Sequence, residues 1–285
     1  MTYHNDGVAY LESRVVGNKF ERILLTGAAG GLGRVLRETL KPMTRILRLS
    51  DIQGLGKAGP SEELCPCDLS DRQAVSDLVR DCDAIVHMGG VSVERPFEEI
   101  LEANIKGIFH IYEAAREHGA RRVVFASSNH AIGFYRQTER LDARAPTRPD
   151  GYYGLSKVYG EAMASFYHDR YGIETISIRI GSCFPEPKDR RMMHIWLSAH
   201  DLTELIRRGL FTPEIGHTII FGMSDNKETW WDNRLAAHIG FQAQDTSEAY
   251  RDMIEKQPMP AADDPTMVYQ GGAFTAQGPF EPVRK

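Results

Sequence analysis

The sequence is poor in cysteine and has no pattern of metal ligands. Its four cysteines are Cys65, Cys67, Cys82 and Cys183, and no second Cys or His pair follows the Cys-Pro-Cys step at zinc-site spacing. The ten histidines are scattered, without a His-x-x-x-His pair. We therefore expect no metal site and four free thiols in a reducing compartment, as in a cytoplasmic protein.

Membrane and polyanion signals are also absent from the sequence. No apolar run approaches the roughly 18 residues that a membrane span needs. The N-terminus lacks a basic region followed by an apolar stretch, so no signal peptide is expected. The formal net charge is −5, and the arginine pairs are scattered along the chain. This charge pattern argues against nucleic acid and anionic membranes as partners.

A glycine-rich turn lies between a predicted strand, residues 20–26, and a predicted helix, residues 34–40. Three of its glycines are spaced three residues apart. Gly27 permits a tight turn, Gly30 lets the backbone approach a pyrophosphate, and Gly33 allows the helix to pack closely on the strand. Gly31 and Leu32 lie between them, and the free N–H groups at the N-terminus of the following helix favour an anion. The pattern predicts a dinucleotide site, and a plain tight turn is the alternative.

A carboxylate follows the second predicted strand, residues 44–50. Asp51 lies eighteen residues after Gly33 and has no arginine close behind it. A carboxylate at this place accepts hydrogen bonds from the ribose hydroxyls of adenosine and repels a 2′-phosphate. The sequence therefore favours NAD over NADP, with an ordinary loop carboxylate as the alternative.

Two further strand ends offer cofactor contacts. Asp68 and Leu69 follow a short third strand that ends at Cys67, where they would meet the edge and face of an adenine. Asp68 could instead cap a helix over residues 71–79. The fourth strand, residues 84–88, ends in Met88-Gly89-Gly90, and small residues there suit close approach of the cofactor.

Strands and helices alternate along most of the chain, which predicts an α/β fold with a doubly wound, Rossmann-like parallel sheet. The remaining predicted elements are helices over residues 97–117 and 153–171 and strands over residues 122–126 and 174–180, followed by a helix near 199–208 and a strand near 217–221. The two long helices offer broad faces for self-pairing, so we expect a homo-oligomer.

The pattern divides the chain into four parts. Residues 1–18 show no clear periodicity and are interpreted as an N-terminal extension, for which disorder is one alternative. Residues 19–180 form the NAD-binding core, and residues 181–257 form a small lobe that covers the substrate at the strand ends. Residues 258–285 are a tail, rich in proline and glycine at its start.

Tyr153 and Lys157 lie four residues apart at the start of a predicted helix, after a strand that ends near Ser128. Residues at this spacing share one helix face, with about 5–6 Å between their Cβ atoms. A nearby ammonium lowers the pKa of a phenol and lets it act as a base. A half-buried tyrosine beside a solvated lysine is the alternative interpretation of the spacing alone.

Together these segments resemble the extended short-chain dehydrogenase/reductase superfamily, over roughly residues 20–221. A narrower set of segments resembles the uronate dehydrogenase family. This set comprises Gly-Gly-Val-Ser-Val-Glu at 89–94, Ser-Ser-Asn-His-Ala-Ile-Gly-Phe-Tyr at 127–135, Thr-Glu-Arg-Leu-Asp at 138–142, Arg-Pro-Asp-Gly-Tyr-Tyr-Gly-Leu-Ser-Lys at 148–157, Arg-Ile-Gly-Ser-Cys at 179–183, Pro-Glu-Pro at 185–187, Arg191 and Trp-Trp-Asp at 230–232.

The resemblance implies NAD-dependent oxidation of a hexuronic acid, glucuronate or galacturonate, at C1 to an aldarolactone. It makes Tyr153 the general base, with Lys157 lowering its pKa and holding the nicotinamide ribose, and Ser128 bonded to the reacting oxygen. It also places Ile180 and Cys183 at the cofactor.

For the sugar, the resemblance implies contacts from Ser92, Ser128, Asn129, His130 and Ser182, and it assigns the carboxylate to Arg191. A guanidinium suits that role because it offers two parallel bonds to a carboxylate. The neighbouring Arg190 competes for this assignment, and a polar loop residue is the alternative for His130.

Two other functions fit parts of the pattern. A nucleotide-sugar epimerase or dehydratase of the same superfamily uses the same Tyr, Lys and Ser set but needs a larger C-terminal lobe. A non-catalytic sensor protein that binds NAD has no need of the Tyr and Lys pair.

Overall fold

The computed structural model describes residues 6–278 of the 285-residue chain, and side chains from residue 8 onward. Its centre is an eight-stranded sheet in the order β4-β3-β2-β5-β6-β8-β9, with the short β1 paired to β2. The strands are β1 (Val15–Val16), β2 (Lys19–Thr26), β3 (Thr44–Ser50), β4 (Glu62–Leu64), β5 (Ala84–His87), β6 (Arg122–Ser128), β7 (Leu141–Asp142), β8 (Glu174–Ile180), β9 (His217–Gly222) and β10 (Trp231–Asp232).

Helices cover the sheet and continue into the C-terminal part. The α-helices are α1 (Asp6–Arg14), α2 (Gly31–Thr39), α3 (Arg72–Val79), α4 (Phe97–Ile100), α5 (Gly107–His118), α6 (Tyr152–Tyr171), α7 (Arg190–Ile195), α8 (Ala199–Phe211), α9 (Arg251–Glu255) and α10 (Pro265–Val268). A π-helix, Leu101–Lys106, joins α4 to α5, and short 3₁₀ helices occur at Asn129–Ile132 and Gly272–Ala276.

The seven main strands are parallel, and β1 runs antiparallel to β2. The chain passes from β2 outward through β3 to β4, then returns to β5 on the other side of β2. The strand order therefore reverses between β2 and β5, and such a switch point leaves a crevice at the carboxyl ends of the strands. The predicted doubly wound fold is confirmed.

Burial of the central strands explains why the sequence patterns located them. Every residue of β6 and β8 is buried, as expected for parallel strands covered by helices on both faces. One apolar cluster lies on the α2 and α8 side of the sheet, and a second lies on the α3 and α5 side. The bounds of β3 and β8 agree with the predicted ranges.

The N-terminal extension differs from its prediction. Residues 6–16 form α1 and β1, and the Tyr10 hydroxyl bonds the carbonyl of Asp83 and the N–H of Arg121. Leu11 is also buried in the core. Side chains that bond across the fold order this segment, whereas local periodicity gave no sign of it. Residues 1–5 of the predicted extension lie outside the described residues.

Three other predicted elements need adjustment. The third strand ends at Leu64, not Cys67. The cap of α3 is Asp71, which accepts from the N–H of Ala74, so Asp68 is not the helix cap. The predicted helix over residues 97–117 is interrupted by the π-helix.

The chain after β8 packs over the strand ends rather than forming a distant domain. β10 pairs with β7, and an apolar cluster around Trp231 and Phe221 joins this part to the core. The predicted tail is partly ordered and includes α10 and the 3₁₀ helix Gly272–Ala276; its last residues, 279–285, lie outside the description. Within residues 6–278, no helix is both long and apolar enough to cross a membrane.

Candidate active site

Tyr153 and Lys157 lie on the first two turns of α6, and both are buried. The Lys157 Nζ atom is 5.3 Å from the centroid of the Tyr153 ring and 5.2 Å from that of Phe125. Burial raises the pKa of Tyr153 to about 12, although the Ser128 side chain opposes the rise. Burial lowers the pKa of Lys157 to about 8. The sequence predicted a lowered pKa for this phenol, but burial, together with the nearby Asp150 charge, raises it.

The N-terminus of α6 is held by Glu94, a residue that the sequence analysis did not assign. The Glu94 carboxylate accepts from the N–H groups of Tyr152 and Tyr153, both at 2.8 Å. It lies so close to Gly151 that a Cβ there would be 2.3 Å from Oε2. Glu94 therefore caps the helix from 58 residues away and fixes the backbone that carries Tyr153. Only the acidic character of the segment hinted at this role.

Ser128, Asn129 and His130 occupy the end of β6 and the start of a 3₁₀ helix, and all three are buried. The Ser128 hydroxyl accepts from the N–H of His130 at 3.2 Å, so it caps this short helix. The effect of Ser128 on the Tyr153 pKa places the serine beside the phenol. Ser128 and His130 thus lie beside Tyr153, while the Asn129 side chain bonds the carbonyl of Gln270.

The His130 ring is enclosed by Tyr153, Asp150 and Phe274. Its Nδ1 atom lies 2.7 Å from Asp150 Oδ2, and its centroid is 5.7 Å from that of Tyr153. The Phe274 ring stacks on it at 3.9 Å. The sequence contains no local pattern that would assign a role in the site to Asp150, a carboxylate in a loop, or to Phe274, an aromatic residue in the tail.

Arg191 is buried near the start of α7, and burial lowers the pKa of its guanidinium. Its Nη1 donates to the carbonyl oxygen of Gln270 at 2.8 Å, which also accepts from Asn129 Nδ2 at 3.5 Å. Its Nε has no partner among the described residues. Arg190 instead donates to the carbonyl of Glu255 and lines a separate cavity of about 230 Å³.

Ser182 and Ser92 lie in different surroundings. Ser182 is buried just after β8, where its backbone pairs with Ile195 and Leu197. Ser92 is exposed in the loop after β5. The preceding residue, Val91, is held on both backbone groups by Asn104, at 2.8 and 3.0 Å.

Asn104 is a second residue whose role the sequence left unassigned. It lies in the π-helix, and its Nδ2 also donates to the Ser156 hydroxyl on α6 at 2.9 Å. A Cβ at Gly90 would be 2.7 Å from Asn104 Oδ1, and Gly90 has a φ of +119°. π-Helical turns occur frequently at functional sites. Here the π-helical turn carries the Asn104 amide, which bonds both the loop after β5 and α6, the helix of Tyr153.

The glycine-rich turn after β2 has the shape that a dinucleotide requires. Gly27 has a φ of +70°, and a Cβ there would be 2.7 Å from the backbone of Met88. A Cβ at Gly33 would be 2.0 Å from the Gly27 carbonyl oxygen. Gly30, the N-cap of α2, offers no side-chain cap, and nothing lies within 4 Å of a Cβ at Gly31. The N–H groups of the first turn, which includes Leu32, therefore remain available for a pyrophosphate.

The Asp51 side chain links the glycine-rich turn to the end of β3 by a hydrogen bond. Its Oδ2 accepts from the N–H of Ala29, and its Oδ1 accepts from that of Gln53, both at 2.9 Å. These bonds hold the carboxylate at the switch-point edge of the sheet, where a ribose would be recognised. The geometry fits the cofactor that the sequence favoured.

The other predicted cofactor residues surround the same crevice in different ways. Asp68 is exposed and accepts from the N–H and hydroxyl of Ser70, while Leu69 is buried against Gly89. Met88 is partly buried in the core cluster below the turn. Ile180 ends β8, and burial raises the pKa of the Cys183 thiol to about 12, which keeps it protonated.

Comparison with known proteins agrees with this geometry. The family described as "NAD dependent epimerase/dehydratase family" matches residues 23–208. The uronate dehydrogenase of Pseudomonas syringae pv. tomato is 66% identical over 262 residues, 92% of this chain and 95% of its own length. The uronate dehydrogenase of Agrobacterium fabrum is 51% identical, over 89% of this chain and 96% of its own.

Solved structures show similarity to the same family of proteins. The glucuronic acid dehydrogenase of Chromohalobacter salexigens is 53% identical with a TM-score of 0.89, covering 90% of this chain and 97% of its own. A mutant uronate dehydrogenase of Agrobacterium tumefaciens, solved in complex with NAD, is 49% identical with a TM-score of 0.90, covering 92% and 99%. The predicted resemblance is confirmed: this chain belongs to the NAD-dependent epimerase/dehydratase family and, within it, to the uronate dehydrogenases.

Proposed function

We propose that this enzyme oxidises a hexuronic acid, glucuronate or galacturonate, at C1 to the aldarolactone. The observation that supports the proposal is that one C-terminal segment contacts both the buried guanidinium of Arg191 and the surroundings of the buried phenol of Tyr153. The backbone around Gln270 bonds Arg191, and four residues later Phe274 packs on His130, with its ring 6.3 Å from that of Tyr153. A buried cation and a proton acceptor that share contacts with one short segment would suit a small acidic sugar.

In the proposed reaction, Tyr153 takes the proton of the anomeric hydroxyl while the hydrogen on C1 leaves as hydride. C1 thereby becomes the carbonyl carbon of the lactone. Bound NAD⁺ supplies the acceptor for the hydride. Ser128 donates to the reacting oxygen, and Lys157 favours the phenolate by its charge once the pair is engaged.

The remaining substrate contacts follow from position. Arg191 would bind the carboxylate because its side chain is buried, whereas Arg190 is only partly buried and donates to backbone carbonyls near α9. The Nε atoms of both arginines are unpartnered within residues 8–278, so burial is what distinguishes the two. Asn129, His130 and Ser182 are buried near the strand ends and would bind sugar hydroxyls. Ser92, on the loop that Asn104 anchors, would approach from the other side.

The cofactor would be held by the residues of the crevice. The turn and the start of α2 would receive the pyrophosphate and Asp51 the adenosine ribose, and Lys157 would also bond the nicotinamide ribose. The full proposed set comprises Gly27, Gly30, Gly31, Leu32, Gly33, Asp51, Asp68, Leu69, Met88, Gly89, Gly90, Lys157, Ile180 and Cys183.

The proposal keeps the predicted division of the chain, with residues 19–180 as the NAD-binding core and 181–257 as the lobe over the substrate. It adds the segment around Gln270 and Phe274 to that lobe. We also place the enzyme in the cytoplasm, a reducing compartment that suits its four free thiols.

A second copy of the chain would pair through the helices beside the site. Exposed apolar side chains lie on α4, α5 and α6, namely Phe97, Phe109, Tyr152, Leu155 and Phe166. Apolar side chains grouped on adjoining helices are typical of subunit interfaces. Sedimentation of the wild type against Phe166→Glu tests this proposal, since a monomeric wild type contradicts it.

The reaction is tested by NADH absorbance. Purified enzyme is mixed with glucuronate or galacturonate and with NAD or NADP, and we expect net NADH from NAD with at least one of the two sugars. A nucleotide-sugar epimerase returns its hydride and yields no net NADH, and a non-catalytic NAD-binding protein yields no turnover. Absence of NADH with both sugars would contradict the proposed function.

A further inference from the structure

His130 is held by a carboxylate that has no part in the reaction described above. Asp150 has a fully buried side chain, and its Oδ2 lies 2.7 Å from His130 Nδ1. The backbone joins the same two residues, because the N–H of Asp150 donates to the carbonyl of His130 at 3.3 Å. The pair is therefore linked through both side chain and main chain.

The fold leaves room for this carboxylate at glycines from two other segments. A Cβ at Gly133 would lie 1.9 Å from Asp150 Oδ2, and a Cβ at Gly271 would lie 2.0 Å from it. Neither glycine has a positive φ, so the close approach of Asp150 accounts for the missing side chains. The Asp150 carboxylate is thus enclosed by three parts of the chain.

The burial of the Asp150 carboxylate does not by itself stabilise the fold. Removing a carboxylate from water costs several kcal/mol, about as much as good pairing returns. Asp150 Oδ1 has no hydrogen-bond partner within residues 8–278, so His130 is the main compensation for this burial. A buried acid with a single side-chain partner indicates a role exerted through that partner.

The other sides of the His130 ring are also fixed, except at one atom. Phe274 stacks on one face, and Tyr153 meets the ring at an interplanar angle of 62°. Nε2 is the second ring nitrogen, joined to Nδ1 through Cε1. Within residues 8–278 it has no hydrogen-bond partner, and it is not completely shielded from solvent. Nε2 is therefore open to a ligand beside Tyr153.

We infer that Asp150 is the positioning residue for His130. When the ring carries one hydrogen, a carboxylate that accepts the Nδ1 hydrogen fixes the tautomer, so that Nε2 presents its lone pair to a hydroxyl of the sugar. The inference rests on the proposed function, because it gives His130 a substrate to bind. It assigns to this site an acceptor of fixed direction, which recognises a sugar hydroxyl and not an oxygen that lacks a hydrogen.

A double-mutant cycle tests this inference. The wild type, Asp150→Asn, His130→Gln and the double variant are compared for kcat and KM with glucuronate and galacturonate at saturating NAD. We expect Asp150→Asn to lower kcat/KM at least about tenfold, on the scale of lost outer-sphere support for a ligating histidine, mainly through KM. In the His130→Gln background the same change should cause no further loss, because the two residues act as one unit.

Two controls separate positioning from general damage to the fold. The Kd for NADH should stay within about twofold of the wild type in Asp150→Asn, since the cofactor crevice is formed by other residues. Asp169→Asn is the matched control, because Asp169 is exposed and its Oδ1 lies 3.4 Å from the Nδ1 of His168 on the surface of α6. It should leave kcat/KM unchanged.

The outcomes are distinguishable. If the losses in kcat/KM multiply in the double variant, the inference is overturned and the proposed function stands. An unchanged KM in Asp150→Asn would have the same consequence. A wild type that makes no NADH from either uronate would overturn the proposed function and the inference together.

A second variant covers the case in which Asp150→Asn does not fold. Gly133→Ala places a methyl group against Asp150, to which the three nearest atoms around a Cβ at that position all belong, without altering either partner. It should raise KM in the wild type and have no further effect in the His130→Gln background. Equal effects in both backgrounds would contradict the inference.

Discussion

The ammonium of Lys157 lies 5.3 Å from the centre of the Tyr153 ring, and burial moves both groups toward their neutral forms. The pKa of Tyr153 rises to about 12 and that of Lys157 falls to about 8. At neutral pH the phenol is therefore protonated, and the lysine is only about one pKa unit from losing its charge. The pair therefore does not rest as a phenolate beside an ammonium.

Replacing Tyr153 by Phe should abolish most uronate oxidation, because the proton of the anomeric hydroxyl would have no acceptor. We expect kcat to fall about 10²–10⁴-fold, the usual cost of losing a general base. NADH binding, followed by fluorescence, should be unchanged and serves as the internal control. Near-normal turnover would exclude Tyr153 as the base.

Replacing Lys157 by Met should stabilise the fold at pH 7 while abolishing activity. The folded-state pKa of about 8 lies below the ordinary lysine value of 10.5, so the charged form is penalised only in the folded protein. At about 1.4 kcal/mol per pKa unit, and allowing for the lost contact with Phe125, the gain should be about 2 kcal/mol.

The sign of this effect gives it a pH signature. The penalty on Lys157 is fully present below pH 8 and disappears as the pH rises toward 10.5, because the lysine is then neutral in both states. Urea unfolding at pH 7, 8 and 9.5 should show the advantage of Lys157→Met shrinking steadily. A difference independent of pH would contradict the assignment of a desolvated ammonium.

Removing the Arg191 side chain should weaken uronate binding far more than removing that of Arg190. Arg191→Ala loses a buried, charge-assisted contact worth about 1.5–3 kcal/mol, so KM should rise about 10- to 100-fold. Arg190→Ala, which loses only backbone contacts near α9, is the matched control. Equal KM values for the two variants would move the carboxylate site elsewhere.

Glu94→Gln should destabilise the start of α6. The amide has one acceptor oxygen in place of two, so one of the N–H groups of Tyr152 and Tyr153 loses its partner. A buried donor without a partner costs about 1–3 kcal/mol in unfolding free energy. Glu98→Gln, at an exposed position in α4, provides the comparison by chemical denaturation. Equal stability of the two variants would show that Glu94 is dispensable as a cap.

Asp51→Ala should relax the preference for NAD over NADP, because the carboxylate that repels a 2′-phosphate is removed. We expect the ratio of kcat/KM values for NAD and NADP to fall at least about tenfold, the effect of about 1.4 kcal/mol. The exposed Asp77→Ala on α3 controls for loss of charge. An unaltered ratio would argue against a ribose contact at Asp51.

Features encoded over a few consecutive residues were predictable. The turn from Gly27 to Gly33 joins a strand to a helix with fixed spacing, and Tyr153 and Lys157 share a face because four residues make about one helical turn. The bounds of β3 and β8 followed from apolar runs that parallel strands need on both faces. The fold class, the family and the cofactor therefore follow from the sequence by itself.

Only the tertiary structure decided which distant groups complete the site. Glu94 reaches α6 from 58 residues away, Asp150 meets His130 across a loop, and Gln270 and Phe274 arrive from a segment that reads as tail. Burial even reversed the direction expected for the Tyr153 pKa. Contacts and desolvation of this kind depend on how separate segments pack against one another, and local periodicity carries no record of that packing.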